Sequence, residues 1–273
     1  MSGSRREVAR MVLSMATTCA LGAAVLGGLY VATDRYQRSA AAAAERKAIA
    51  ELLTLDSAAR VVEVRQTLDP TRRAVIYDLA PGAGASSPRE LAFNFQGTPV
   101  SMAPARAAAP RIPLGRFFVL TRFGAPAGFV VEGETRGYKN RVRFLIGLDS
   151  ACTVQGVRVM EHEEDPGLGA EIATPGFCGQ FAGRSADRIG ALEVTRDPMP
   201  EDWRMALGQL GRMPASAWRE RFGSVAERER SRPIYAVTGA TISSRALTDG
   251  VRATVEHFRR RWALLAPRLG GIG

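Results

Sequence analysis

Histidine and cysteine are scarce: the 273 residues hold two His and three Cys, with no Cys-x-x-Cys. That excludes a cysteine-rich zinc centre, a c-type haem and a self-contained iron–sulfur cluster. Three cysteines also make no disulfide scaffold. Lysine is confined to Lys47 and Lys139, although the formal net charge is +10, so the positive charge is almost wholly arginine. No basic helix interleaved with aromatics, no RNP-like run and no zinc-finger spacing accompanies it, and nucleic-acid binding has no motif to rest on. A basic surface near acidic lipid headgroups is the reading that remains. No internal repeat is visible. Apolar residues make up 46% and charged residues 23%, which excludes wholesale disorder.

What is present begins with a long uncharged run. Residues 11–33 read MVLSMATTCALGAAVLGGLYVAT. As a helix they span about 34 Å, enough for a hydrocarbon core of roughly 30 Å. The run is longer than the apolar region of a cleaved signal peptide, and Asp34-Arg35-Tyr36 follows at once. The sequence therefore predicts an uncleaved membrane anchor over residues 11–33, after a short tail of residues 1–10. Gly22, Gly27 and Gly28 would let another helix approach. Arg5, Arg6 and Arg10 on one side nearly balance Arg35, Arg38, Arg46 and Lys47 on the other. The positive-inside count thus does not orient the span.

Beyond the anchor the pattern is mixed. Residues 34–60 read as a helical linker, with Ala40 to Leu55 rich in Ala, Glu and Leu. Residues 61–265 read as one soluble α+β domain, closed by a tail at 266–273. Short β-like runs occur at Val61–Val64, Ala74–Leu79, Leu91–Phe95, Phe117–Phe123 and Gly128–Val131. Alternation over Val142–Leu148 predicts a strand with one buried face, and Val154, Val157 and Val159 a second. Ala103–Pro110 and Asp165–Gly169 are loops. Glu201 to Arg230 reads as one or two surface helices broken near Gly211–Pro214. Leu247, Val251, Val255, Phe258 and Trp262 lie on one face of a terminal helix.

The run richest in chemistry is Tyr235-Ala-Val-Thr-Gly-Ala-Thr-Ile-Ser-Ser244. It reads as a strand end, a small-residue turn and a helix start. Gly239 and Ala240 leave room for a bulky group at the backbone. Thr241 falls where a helix N-cap belongs. The free N–H groups that follow, with the hydroxyls of Ser243 and Ser244, suit a phosphate beside Thr241. Taken alone, the run fits an ordinary capped helix as well.

The segment Thr238-Gly239-Ala240-Thr241 resembles the T/S-G-A-T motif of the covalent FMN-binding domain family. That domain is shared by the G subunit of the Rnf complex and the C subunit of the sodium-pumping NADH:quinone oxidoreductase. Further matches occur in order: Gly137-Tyr138-Lys139, Ile146-Gly147-Leu148-Asp149, and His162 with Asp165-Pro166-Gly167-Leu168-Gly169. The resemblance covers the anchor and roughly residues 125–260. It implies FMN attached by a phosphoester to Thr241 by a flavin transferase. It also implies that Thr238, Gly239, Ala240, Ser243, Ser244, Gly167, Leu168 and Gly169 surround the cofactor, and that no separate catalytic or metal-binding set is needed.

The function implied is that of an electron-carrying subunit of an Rnf-type, ferredoxin/NAD-linked, ion-translocating oxidoreductase. It would sit in the bacterial inner membrane with its soluble domain on the periplasmic side, beside other membrane and iron–sulfur subunits. A quinone-reductase C subunit and a stand-alone tethered FMN domain are the alternatives. The chain departs from the family in three places. Tyr235 stands where an acidic residue is usual, Glu164-Asp165 stands in place of Glu-Thr, and residues 197–230 are longer than is typical. His162 and His257 read as structural residues, Arg259–Arg261 as a solvated helix end. Cys152 and Cys178 read as buried thiols or as a pair in an oxidising compartment.

Overall fold

The computed structural model describes residues 2–53, 59–80, 89–101 and 110–268. It divides into two compact units, Met1–Lys47 and Ala48–Gly273. The first unit lies within α1 (Ser2–Leu53), a single helix of 52 residues. The stretch expected as anchor and the stretch expected as linker helix are thus continuous. Nothing between Thr33 and the run Ala40–Ala44 is a Pro or Gly that would break the ladder. The part from Ala9 onward is long and apolar enough to cross a membrane, and none of its most apolar window is buried by the protein. Its Thr17 and Thr18 hydroxyls donate to the carbonyls of Leu13 and Ser14 at 2.8 and 2.9 Å. Apolar surroundings require such internal satisfaction. At the end of the apolar run Arg38 pairs with Asp34 at 3.0 Å.

The second unit is built on a seven-stranded antiparallel sheet. Its strands are β1 (Arg60–Asp69), β2 (Ala74–Leu79), β3 (Arg89–Asn94), β4 (Ile112–Arg122), β5 (Ala125–Arg136), β6 (Arg141–Asp149) and β7 (Val154–Glu161), in the order β3-β2-β1-β4-β5-β6-β7. After β7 come the short helices α2 (Pro175–Cys178) and α3 (Ala186–Gly190), then β8 (Val194–Thr195). Helices α4 (Glu201–Gly208) and α5 (Ala215–Glu229) follow, then β9 (Ile234–Tyr235) and the long α6 (Thr241–Leu265). The architecture is α+β.

Helix α6 covers one face of the sheet. Its Leu247, Val251, Val255 and Phe258 are fully buried against Phe117, Phe129, Phe144 and Ile146. The close approach needs glycine on both sides. A Cβ on Gly133 would lie 2.4 Å from the Phe144 ring, and one on Gly250 would lie 2.9 Å from Thr135 Cβ. The opposite face receives the carboxyl-terminal turns of α1, where Ala48, Ile49 and Leu53 pack on Phe118, Leu120, Val130 and Leu145.

This corrects the expectation that β6 buries one face only. Leu145 is as fully buried as Phe144 and Ile146, because a helix lies on each side. Further along this second face the strands exchange ion pairs. Arg116 meets Glu132 at 3.0 Å, Glu132 meets Arg143 at 2.9 Å, and Arg143 meets Glu161 at 2.6 Å.

Residues 197–230 leave and return through a parallel pair, Val194↔Ile234 and Thr195↔Tyr235. They carry their own small core of Trp203, Ala206, Leu207, Phe222 and Ala226, closed by Tyr235. Trp218 Nε1 donates to the Ala206 carbonyl at 2.7 Å, joining the two helices. Arg184, 3% exposed, fastens the exit. Its guanidinium donates to the carbonyls of Glu229, Arg230 and Arg232 at 3.2, 2.9 and 2.7 Å. Glu229 and Arg230 end α5, where carbonyls lack intrahelical donors, and Arg232 lies just beyond.

Candidate functional site

The turn between β9 and α6 is shaped by Gly239, whose φ of +79° is one that a side chain disfavours. Ala240 is the N-cap of α6, and no side chain caps the helix. Thr241 is therefore the first helical residue rather than the cap expected from the sequence. After the positive-φ turn at Gly239 helical geometry begins one residue earlier than that expectation, with Ala240 in the cap position. The consequence is chemical. The Thr241 hydroxyl takes no part in capping, and the first-turn N–H groups of a 25-residue helix are left for an outside acceptor.

The two serines face the other way. Ser244 is fully buried, and its Oγ accepts from the Val237 N–H at 3.0 Å, holding the turn closed. Ser243 Oγ donates to Glu164. Both hydroxyls expected beside a phosphate thus have partners inside the protein.

Glu164 ties three segments together, a role that nothing in its sequence neighbourhood signals. It is 5% exposed. One carboxylate oxygen accepts from Ser243 and the other from the Lys139 N–H at 3.1 Å. Gly137 and Gly169 lie against it, where a Cβ would come within 2.3 and 2.5 Å of its oxygens. Lys139 pairs with Asp165 at 2.5 Å. The loop after Asp165 is thereby held to the start of α6. Gly167 turns it with a φ of +73°. Leu168, 48% exposed, places its Cδ2 3.0 Å from where a Gly239 Cβ would stand.

The structure thus brings Leu168 of the loop Gly167–Gly169 against Gly239 of the turn Thr238–Thr241. Thr238, Gly239 and Thr241 line a cleft of about 830 Å³ with Thr174 and Gly176. That size suits a cofactor-class ligand. Arg196 to Met199 and Arg204, Leu207 and Gly208 also line the cleft. These residues carry no motif, and only the chain's return through β8 and β9 places them there.

Tyr235, one strand residue before the turn, is buried. Its hydroxyl donates to the Glu229 carboxylate at 2.9 Å, and burial together with that bond pushes the phenol up to about 12. Gln180 pins its backbone, donating to the Tyr235 carbonyl at 3.1 Å and accepting from its N–H at 2.8 Å. His162 lines a different cavity, with Asn140, Arg141, Met160 and Glu161. Its Nδ1 is buried without a partner among the described residues. Cys152 and Cys178 are free, buried thiols. Burial pushes the Cys178 thiol up to about 11.

Residues 137–256 match the family described as the FMN-binding domain. Among proteins of similar sequence is the G subunit of the proton-translocating ferredoxin:NAD(+) oxidoreductase complex of Clostridium ljungdahlii. It is 30% identical over 129 residues, which are 47% of this chain and 52% of that one. The G subunit of an ion-translocating oxidoreductase complex from Cereibacter sphaeroides is 31% identical over 155 residues, 56% and 57% of the two chains. The chain spans about half the length of the curated relatives it matches. A solved structure, the C subunit of the Na(+)-translocating NADH-quinone reductase from Parabacteroides distasonis, is 20% identical. It aligns over 53% of this chain and 61% of its own with a TM-score of 0.35. The matched segment runs from Gly137, whose turn meets Glu164, to Glu256 on α6 and encloses the whole cleft. Residues 137–256, the part of the chain that forms the cleft, thus match the FMN-binding domain family, in a chain similar to the G subunits of ion-translocating oxidoreductase complexes.

Proposed function

We propose that the chain is a membrane-anchored electron-transfer subunit of an Rnf-type, ion-translocating oxidoreductase. In this reading FMN is held covalently at Thr241. The observation that carries the reading is the conjunction at the start of α6: an uncapped helix terminus and a threonine hydroxyl without a capping task, both opening on the cleft. A phosphoester at Thr241 Oγ1 would set its oxygens against the first-turn N–H groups, the favourable end of the helix dipole.

Gly239 keeps the turn free of a side chain where the cofactor enters. Glu164 holds Leu168 and the loop Gly167–Gly169 beside it through Ser243 and Lys139. The bound flavin would supply two-electron uptake with one-electron release, and the protein supplies position and field. A tether suits a relay that must not lose its carrier.

α1 would anchor the domain in the bacterial inner membrane, with the domain on the periplasmic side. A flavin transferase would load it from an activated flavin nucleotide. The ferredoxin- and NAD-linked steps would belong to other membrane and iron–sulfur subunits. The relatives' names support this assembly.

The test is the intact mass of the full chain expressed with a flavin transferase, with in-gel fluorescence after denaturation. One FMN adduct is expected in wild type and none in Thr241→Ala. A bare, non-fluorescent wild-type band refutes the reading.

A further inference from the structure

The cleft that Thr241 lines is also walled by residues from the stretch 196–208, which has no recognisable motif. It is nevertheless firmly placed. Leu207 and Leu210 pack over Gly179, where a Cβ would come within 2.9 and 2.5 Å of them. Trp203, Ala206 and Leu207 share a core with Tyr235, just before the Thr238–Thr241 turn. The segment's start is fixed by β8, which pairs with β9 just before the Thr238–Thr241 turn. The wall presents two arginines and two apolar side chains, Arg196, Arg204, Met199 and Leu207.

The charged groups facing them are Asp197 and Glu171. Asp197 is engaged by the Thr195 hydroxyl at 2.7 Å. Arg204 pairs with Glu201 on its own helix, both largely exposed. Such a surface pair costs little to exchange for a buried anion.

We propose that this wall is the second half of the flavin site, a reading that rests on FMN being held at Thr241. Arg196 and Arg204 are positioning residues that would add positive charge to the cleft the flavin enters from Thr241. Met199, backed by the buried Leu207, would give the ring an apolar seat. Reduction adds negative charge to the cofactor, and cations lining the cleft favour that charge more than the oxidised state. The wall therefore raises the flavin's midpoint potential.

The experiment uses the full chain in detergent, expressed with a flavin transferase. Wild type is compared with Arg196→Gln/Arg204→Gln and with a control pair outside the cleft, Arg188→Gln/Arg219→Gln; the two variants lose equal charge. Intact mass reports the adduct, and a redox titration reports the potential. All three proteins are expected to carry one FMN. The cleft variant alone is expected to lose about tenfold in stabilisation of the reduced flavin, a drop of about 30 mV for a two-electron couple.

A cleft variant that matches wild type, or a control pair that falls equally, overturns the proposal while leaving the Thr241 reading intact. Wild type without an adduct overturns both. Should the Gln variant lose its adduct, Arg196→Lys/Arg204→Lys is expected to restore it, since the field needs only the charge. Failure to restore overturns the proposal.

Discussion

Glu164 is the residue whose removal has the most readily worked magnitude. Glu164→Ala deletes a carboxylate that is 5% exposed and strands two donors, the Ser243 hydroxyl and the Lys139 N–H. A buried donor left unpaired costs about 1–3 kcal/mol. The Ser243 hydroxyl, 2% exposed, stands at the upper part of that range, and the Lys139 N–H, near the surface, at the lower. The space cannot close, because the flanking residues Gly137 and Gly169 have no side chains to move in. The expected loss is about 3 kcal/mol.

Glu164→Gln keeps one acceptor oxygen, and the rotatable Ser243 hydroxyl can turn to accept from the new amide. Its loss is about 1 kcal/mol. The measurement is denaturant unfolding of the detergent-solubilised chain, followed by tryptophan fluorescence, with the midpoint shifting at unchanged slope. In a double-mutant cycle with Ser243→Ala a coupling of at least about 1 kcal/mol is expected. A Glu164→Ala loss below about 0.5 kcal/mol, the range of an ordinary surface change, refutes the reasoning.

Two further outcomes follow from the same geometry. Gly133→Ala places a methyl 2.4 Å from the Phe144 ring and 2.6 Å from Thr254 Oγ1, so α6 must lift from β5. A loss of about 1–3 kcal/mol in thermal unfolding is expected, and an unchanged melting curve contradicts the close helix–sheet contact. Tyr235 has its phenol pushed from 10.0 up to about 12, first by burial and then by the bond to Glu229. The folded state holds that proton more tightly than the unfolded chain does. Its contribution is therefore complete below pH 10 and lost between pH 10 and 12. Melting temperatures of wild type and Tyr235→Phe should converge across that window, and parallel curves would count against a protonated, buried Tyr235.

The elements and the reactive turn were legible because they depend on neighbours in the chain. A run of 23 uncharged residues is a helix long enough for a membrane wherever it stands. Alternation marks β6 and β7, and the apolar positions from Leu247 to Trp262 mark one helix face. Small residues around Gly239 announce a turn that a large group can approach. What escaped was everything that needs two distant segments to meet. Leu145 reads as the outward side of a strand, and only the arrival of Ile49 and Leu53 from α1 buries it. Ser243 reads as a phosphate ligand or a cap, and nothing near it in the chain announces its bond to Glu164, 79 positions away. Thr241 moves from cap to first helical residue because the positive φ of Gly239 is a property of the folded turn.

The sequence by itself determined an apolar helix, an α+β order and a threonine at the mouth of a helix, since periodicity and turn chemistry act over a few residues. The tertiary structure alone decided which side chains share the cleft with that threonine. Arg196 and Arg204 reach it only because a parallel two-stranded ladder returns the chain beside its own exit. Such closure leaves no periodic signature, because its free energy comes from contacts between segments rather than within them.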